Sequence, residues 1–397
     1  MKVAVVGLGV LGASVARALA VAGASVTVLE RSEPLAGTSG TTFAWVNSHG
    51  KNPLSYHQLN VAGMHEHAVL ARSVSGQPAW YHRTGNLEWA GDEEGAERLA
   101  RSVAQLRDRD YPVQWLTPGA ARELVPDLRV PPGVRYVAYY PTEGYVLPPL
   151  LVARLWGEAR DAGAELLCPA HVVAVTERGD GVRLALADGG EVRADAVVLA
   201  AGRWSDAVAS SAGHRVPLAD PDVAGSATVG FLGWTTPVAA RLDRVLTTPN
   251  LNVRPDGGGR LVVQGLDLDA DADPARPPTP DGEHARTLLT RLAALIDGTD
   301  GARLTSLRWG SALCPRTACR CAGSWASATA STHSSRTVAS RSARCSDDSR
   351  RRRSCATSPA TCSPTSGPSA GTESTRPSCP PCAPRGWPGS SRTRCGW

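Results

Sequence analysis

The chain has 397 residues, 42% of them hydrophobic and 20% charged, with 40 Gly and 30 Pro. That length allows two or three domains with a buried core and excludes collagen-like and coiled-coil classes; no apolar run approaches about 20 uncharged residues, so no membrane span is expected. The net charge of +5 belongs to the end of the chain: from Cys314 onward Lys and Arg outnumber Asp and Glu by 13 to 3, which leaves 29 against 34 before it. The positive balance is therefore no argument for a nucleic-acid partner of the preceding part.

Lys2 to Val6 is a short apolar, β-branched run ending in glycine, the pattern of a buried strand. Ala13 to Ala22 is Ala-rich and helical, and Ser25 to Leu29 predicts a second strand ending at Glu30. Pro148 and Pro149 open a helix that runs through Ala162 and closes at Gly163. Ala196 to Ala201 is another buried-strand run. Glu283 to Ile296 places Leu288, Leu289, Leu292, Leu295 and Ile296 on one helical face, with Gly298 as the stop. The amino terminus imitates a secretory signal, but Arg17 interrupts its apolar run. Only Cys168 lies upstream of Cys314, so there is no disulfide framework and a reducing cytoplasm is the expected compartment.

From Cys314 to Trp397 the composition changes: there is no Leu, Ile, Met, Phe or Tyr, Val338 is the one Val, and nine of the ten Cys are found. Such a segment cannot offset its ordering entropy and is expected to be a disordered tail. Cys379 to Cys382 is its single CxxC with no matching second pair, which argues against zinc; the Arg350 to Arg353 run invites an RNA-binding reading. A frameshift in GC-rich DNA explains the whole composition. Regrouping each codon one nucleotide earlier over Ala312 to Gly323 permits Arg-Pro-Leu-Pro-Ala-Asp-Gly-Leu-Pro-Val-Arg-Gly, and Ala330 to Ser346 permits a run containing His-Ser-Gly.

The strongest local motif is Gly7-Leu8-Gly9-Val10-Leu11-Gly12, between a predicted strand and a predicted helix. Gly7 suits the tight turn, Gly9 the close approach of a pyrophosphate, and Gly12 the packing of helix on strand. The phosphates would meet the positive end of the helix, and Glu30, at the end of the second strand, is placed to accept from ribose hydroxyls. This is a dinucleotide-binding pattern, and on its own it does not separate FAD from NAD.

Two later segments bear on that choice. Gly37-Thr38-Ser39-Gly40-Thr41-Thr42-Phe43-Ala44-Trp45 follows Glu30, and Ala194 to Ser205 contains Ala200-Ala201-Gly202-Arg203-Trp204. Together with Glu143-Gly144-Tyr145-Val146-Leu147-Pro148 this ordered set resembles the D-amino acid oxidase-type family of FAD-dependent oxidoreductases, which includes glycine oxidase, sarcosine oxidase and D-amino acid dehydrogenase. The resemblance implies a noncovalent FAD contacted by Gly7, Gly9, Val10, Leu11, Gly12, Glu30, Arg31, Thr38, Ser39, Thr41, Thr42, Val172, Val173, Ala201, Gly202 and Trp204, with Val172 and Val173 meeting the adenine. It further implies oxidation of the C–N bond of an amino acid or secondary amine by hydride transfer to flavin N5. The regrouped tail restores the family's Arg-Pro strand, which supplies a substrate-carboxylate Arg, and its His-Ser-Gly turn; both are missing from the chain as written.

Arg254, in Asn252-Val253-Arg254-Pro255, is the surviving candidate for the substrate carboxylate, against the plainer reading of a solvated Arg before a hairpin turn. His49, His57, His65 and His67 fall outside the Thr38 to Trp45 element and read as surface or helix-face histidines rather than flavin attachment points. Asp267, Asp269, Asp271 and Asp273 imitate a calcium loop, but Ala272 stands where glycine is needed and Pro278 where the bidentate Glu belongs, so no metal is expected. Trp45, Tyr56 and Trp80 are core or pocket residues.

The expected fold is α/β. A Rossmann-like FAD-binding domain takes residues 1–50 and 150–212, an α+β substrate domain with a mainly antiparallel sheet takes 51–149 and 213–311, and residues 312–397 form the out-of-frame tail. Two alternatives to the flavoenzyme stay open: an NAD(P)-dependent dehydrogenase and a frameshifted product without catalysis.

Overall fold

The computed structural model describes residues 1–72, 79–218, 228–273 and 275–311. The tail, with its expected disorder, its frameshift, its CxxC and its Arg run, lies outside the described residues. Strand β1 (Lys2–Val6), helix α1 (Val10–Val21) and strand β2 (Ser25–Leu29) open the chain. β1 is central in a four-stranded parallel sheet, flanked by β2 and Ala196–Leu199, with Glu165–Leu167 beyond β2. A parallel sheet covered on both faces selects near-continuous apolar strands, and Ala4, Val5 and Val28 are indeed fully buried.

Helix α1 begins three residues before the Ala-rich run, because extended Gly9 serves as its N-cap directly after the turn. Its buried Ala13, Ala16 and Ala20 form a small-residue face that packs with the helix Pro148–Asp161. Gly23, at φ 86°, follows the helix and returns the chain to β2 in a conformation that favours glycine. The strand predicted to reach Ala201 stops at Leu199. Ala200 and Ala201 lead instead into a 3-10 turn at Gly202–Trp204, where Gly202 has φ 56°.

The second large sheet has eight strands. In spatial order they are Leu304–Ser311, Val229–Thr235, Leu261–Gln264, Asn252–Pro255, Val245–Thr247, Asn86–Glu88, Val137–Tyr140 and Gln114–Leu116. All its pairings are antiparallel except that of Val245–Thr247 with Asn86–Glu88, in agreement with the mainly antiparallel sheet expected. One face packs Val253 and Val263 with Leu288, Leu292 and Leu295 of the helix Glu283–Leu295. That helix ends one residue before the predicted Ile296, which leaves in extended conformation to bridge Leu128. The other face carries Leu232, Val245 and Val262, packed with Phe43, Trp45 and Tyr145.

Trp45 and Tyr145 belong to a small sheet in which β3 (Trp45–Val46) pairs with Gly144–Val146, which also pairs with Tyr81–His82. It lies between the two large sheets: Ala44, Val46 and Val146 join the core that contains Val5 and Val28, whereas Phe43, Trp45 and Tyr145 join the opposite one. Helix α2 (Leu54–Arg72) follows β3. It buries His57, Asn60, Met64 and His67, a polar set in which apolar periodicity is not visible in sequence.

Candidate cofactor site

The turn after β1 is built by close backbone approach. Gly7, at φ 101°, donates its N–H to Leu29 O at 2.8 Å, and a Cβ there would lie 2.6 Å from Ala200 O. A Cβ on Gly12 would lie 1.9 Å from Gly7 O, so only glycine lets α1 start against this turn. Gly9 is less constrained, since its added Cβ would meet the Ser39 hydroxyl at 2.9 Å. Ser39 Oγ accepts from Val10 N at 3.0 Å, and α1 has no cap from its own Ncap side chain. Glu30 spans the turn: its carboxylate accepts from Leu8 N at 2.8 Å and from Ser32 N at 3.1 Å.

These elements frame a cleft of about 360 Å³. Of the residues proposed from sequence, Gly7, Gly9, Val10, Leu11, Glu30, Arg31, Thr38, Ser39, Thr42, Val172, Val173, Ala201, Gly202 and Trp204 line it. Gly12 and Thr41 do not: Gly12 packs beneath the turn, and Thr41 backs onto the last described strand, where a Cβ on Gly310 would meet its carbonyl at 2.7 Å. The lining also includes Leu35, Pro148, Leu151, His171 and Arg203, which sequence reasoning did not assign. Pro148 and His171 were legible as neighbours of assigned elements, one opening a predicted helix and the other preceding Val172. At the rim, the Arg31 and Arg203 guanidiniums lie 4.2 and 4.3 Å from the Trp204 ring, and Arg203 is 5.5 Å from Trp309.

Arg254 is not a solvated hairpin residue, which corrects that reading. It is 1% exposed, on the sheet face beneath residues 42–43. Its guanidinium donates to Phe43 O, to Pro255 O at 2.6 Å, to Asp256 Oδ1 at 2.9 Å and to Thr42 O at 3.5 Å. Burial pulls its pKa below the usual guanidinium value, with Asp256 and Tyr145 opposing. It does not line the cleft; it clamps the segment that does. The four acidic residues from Asp267 to Asp273 disperse. Asp267 pairs with Arg291, Asp269 accepts from Phe231 N, Asp271 faces His284, and Asp273 pairs with Arg276. Among the described residues no group of three or more potential metal ligands is gathered.

Of the histidines, His65 is exposed and His57 and His67 lie on the buried face of α2, as read, but His49 corrects that reading: it is buried in a polar interior, neither on the surface nor on a helix. Glu143, fully buried, accepts from Trp45 Nε1 at 3.1 Å and from Tyr111 OH at 2.7 Å, and its Oε1 lies 2.9 Å from His49 Nδ1. His49 Nε2 is 3.3 Å from Glu88 Oε2, which also accepts from Tyr140 OH at 2.8 Å. Trp45 is thus a core residue with a polar anchor, and Trp80 is core packed near His67; neither they nor half-buried Tyr56 line the cleft. Lys51 is 2% exposed, and burial pulls its pKa down to about 8, against the attraction of Glu143. One sequence signal could have found this group: Lys2 and Lys51 are the two lysines in a chain whose Lys and Arg total 42.

A parallel sheet with a glycine turn at its strand ends, an acidic residue on the second strand and a cleft at the helix N-terminus defines a dinucleotide-binding α/β protein. The particular family follows from comparison with known proteins. The model of the FAD-dependent oxidoreductase (DAO) family matches residues 2–326, and the chain belongs to that family. It is similar to the glycine oxidase of Geobacillus kaustophilus (33% identical over 223 residues, 54% of this chain and 57% of that protein). It is also similar to the 4-methylaminobutanoate oxidase (formaldehyde-forming) of Paenarthrobacter nicotinovorans (28% over 218 residues, 55% of this chain and 26% of that protein). The match therefore spans less than two thirds of either relative. The crystal structure of the G. kaustophilus glycine oxidase shares the fold, with a TM-score of 0.65 at 24% identity over 78% of this chain and 82% of that one. So does iminodiacetate oxidase from Chelativorans, with a TM-score of 0.65 at 21% identity over 79% and 84%. Among the described residues no helix is long and apolar enough to cross a membrane.

Proposed function

We propose that the cleft binds FAD noncovalently and that the chain oxidises the C–N bond of an amino acid or secondary amine. The observation that carries this reading is the cleft itself, formed by the Gly7 turn, Glu30 and the start of α1 in a member of the FAD-dependent oxidoreductase family. The residues present suit the cofactor: a Cβ-free turn and a helix N-terminus for the diphosphate, Glu30 for the ribose, and the backbone of Val172 and Val173 for the adenine. Thr38, Ser39, Thr42, Ala201, Gly202 and Trp204 are proposed to hold the remainder. When bound, FAD supplies an acceptor at N5 for the hydride on the carbon bearing nitrogen. The protein's part is to hold the substrate against that position, exclude water, and keep the amine unprotonated.

Amine substrates are favoured because the relatives are named as glycine, 4-methylaminobutanoate and dimethylglycine oxidising enzymes. Noncovalent attachment is favoured because none of His49, His57, His65 and His67 lines the cleft. Residues 1–50 with 150–212 are proposed as the FAD-binding part, and a reducing cytoplasm as the compartment. Purification of the full chain tests the reading. A yellow cofactor released by denaturation, and bleached anaerobically by a member of a panel of amino acids and secondary amines, is the expected result. A colourless protein that binds NAD(P) would favour the dehydrogenase; one that binds neither would favour the non-catalytic product.

A further inference from the structure

Three residues at the cleft rim are linked to the second large sheet, and the cofactor contacts proposed above do not account for that link. Arg31, Arg203 and Trp204 line the cleft, whereas Trp309, in the strand Leu304–Ser311, does not. The Arg31 guanidinium lies over the Trp204 ring at 4.2 Å, Arg203 lies over the same ring at 4.3 Å, and Arg203 also lies 5.5 Å from the Trp309 ring. The four side chains form an alternating ladder of cation and ring, Arg31–Trp204–Arg203–Trp309.

The ladder follows a defined path through the fold. Arg31 comes directly after Glu30, which the N–H groups of Leu8 and Ser32 anchor at the end of β2. Trp204 closes the 3-10 turn Gly202–Trp204, and its ring also packs on the segment before Thr38: a Cβ on Gly37 would meet Trp204 Cζ3 at 3.3 Å. Trp309 pairs with Phe231 of Val229–Thr235 and packs with the core of the second sheet. Its neighbour Gly310 meets Thr41, whose carbonyl would lie 2.7 Å from an added Cβ. Adjacent residues of one strand therefore touch both segments that carry cleft residues, 202–204 through Arg203 and 37–42 through Thr41.

A guanidinium over a ring is attracted by the ring quadrupole, modestly in water and more strongly where water is excluded. Arg203, Trp204 and Trp309 are half-buried, and Arg31 at the outer end is exposed. Each inner member serves two contacts, so loss of Arg203 breaks two and loss of Trp309 breaks one. A Trp309 that only filled the second core would act on that core without regard to Arg203.

We propose that Arg203 and Trp309 are positioning residues for the cofactor: through the ladder, the strand Leu304–Ser311 holds residues 202–204 in the shape that retains FAD. The proposal rests on the FAD reading above. Trp309 does not line the cleft, so its effect on FAD passes through Arg203. Coupling of this kind is reciprocal: the strand retains FAD, and FAD protects the strand. Leu304–Ser311 is an edge of its sheet among the described residues, paired with Val229–Thr235, so its local opening is sensitive to contacts of this kind.

The test dilutes the full-length, FAD-loaded protein and follows release by the recovery of flavin fluorescence. Trp309→Leu should speed release roughly threefold and Arg203→Ala roughly tenfold. Trp309→Phe, which keeps a ring, should stay near wild type. In an Arg203→Ala background Trp309→Leu should add nothing, as expected of members of one network. Additive effects, or release unchanged by Trp309→Leu, would overturn the ladder, because a core-packing role needs no Arg203. Amide exchange of the wild type keeps the proposal testable if a variant does not fold. FAD should slow exchange at Leu304–Ser311 and leave the opposite edge strand, Gln114–Leu116, unchanged. Equal protection of both edges, or of neither, would overturn the coupling. A wild type that takes up no FAD overturns the cofactor reading and this proposal with it. One that binds FAD but shows additive effects overturns the ladder alone.

Discussion

Lys51 provides a quantitative handle on the interior. Its ammonium is 2% exposed, and its pKa falls from 10.5 to about 8. Between those values the unfolded chain binds one more proton than the folded one, so stability must rise with pH across the window. At 1.36 kcal/mol per unit, the full rise is about 3 kcal/mol, approached near pH 10.5 and absent below about pH 8. Lys51→Met removes this titration. The buried tyrosines that also titrate upward, among them Tyr111 and Tyr145 (pushed up to about 12), are shared by both proteins and largely cancel in the difference. Urea unfolding of both proteins at steps from pH 7 to pH 10.5 is the assay, read as wild type minus variant. A difference that climbs by about 3 kcal/mol supports the buried ammonium. A flat or falling difference would show that Lys51 reaches water, and the reasoning about its burial would be wrong.

Gly12→Ala should cost more than about 4 kcal/mol or prevent folding, because its Cβ would lie 1.9 Å from Gly7 O; recovery of soluble, flavin-containing protein checks this. Arg254→Met should destabilise by about 3–5 kcal/mol, measured by denaturant unfolding, since it leaves Asp256 unpaired and releases the carbonyls of Thr42 and Phe43. Asp92→Ala removes the cap whose Oδ1 accepts from Gly95 N at 2.6 Å, costing about 1 kcal/mol with flavin content unchanged in the absorption spectrum. Glu30→Ala should weaken FAD retention on dilution at least about tenfold, while Glu30→Gln keeps part of it because an amide oxygen can still accept from Leu8 N.

The sequence by itself determined the nucleotide turn. A β-branched run, three spaced glycines, an Ala-rich helix and an acidic strand end all lie within thirty residues, and each acts through local sterics and hydrogen bonding. It also determined the helix starting at Pro148 and the helix Glu283–Leu295, whose periodicity is sustained over several turns. Tertiary structure alone decided what Arg254 and His49 do. The Arg254 contact with Phe43 spans 211 positions and the His49 contact with Glu143 spans 94, so neither partner is visible in any local window. The parallel pairing of Val245–Thr247 with Asn86–Glu88, which brings Glu88 into the second sheet, has no signature in either three-residue strand. Whether a charged side chain lies in water or in an interior depends on which distant segments close over it, and that follows from the packing of the whole chain.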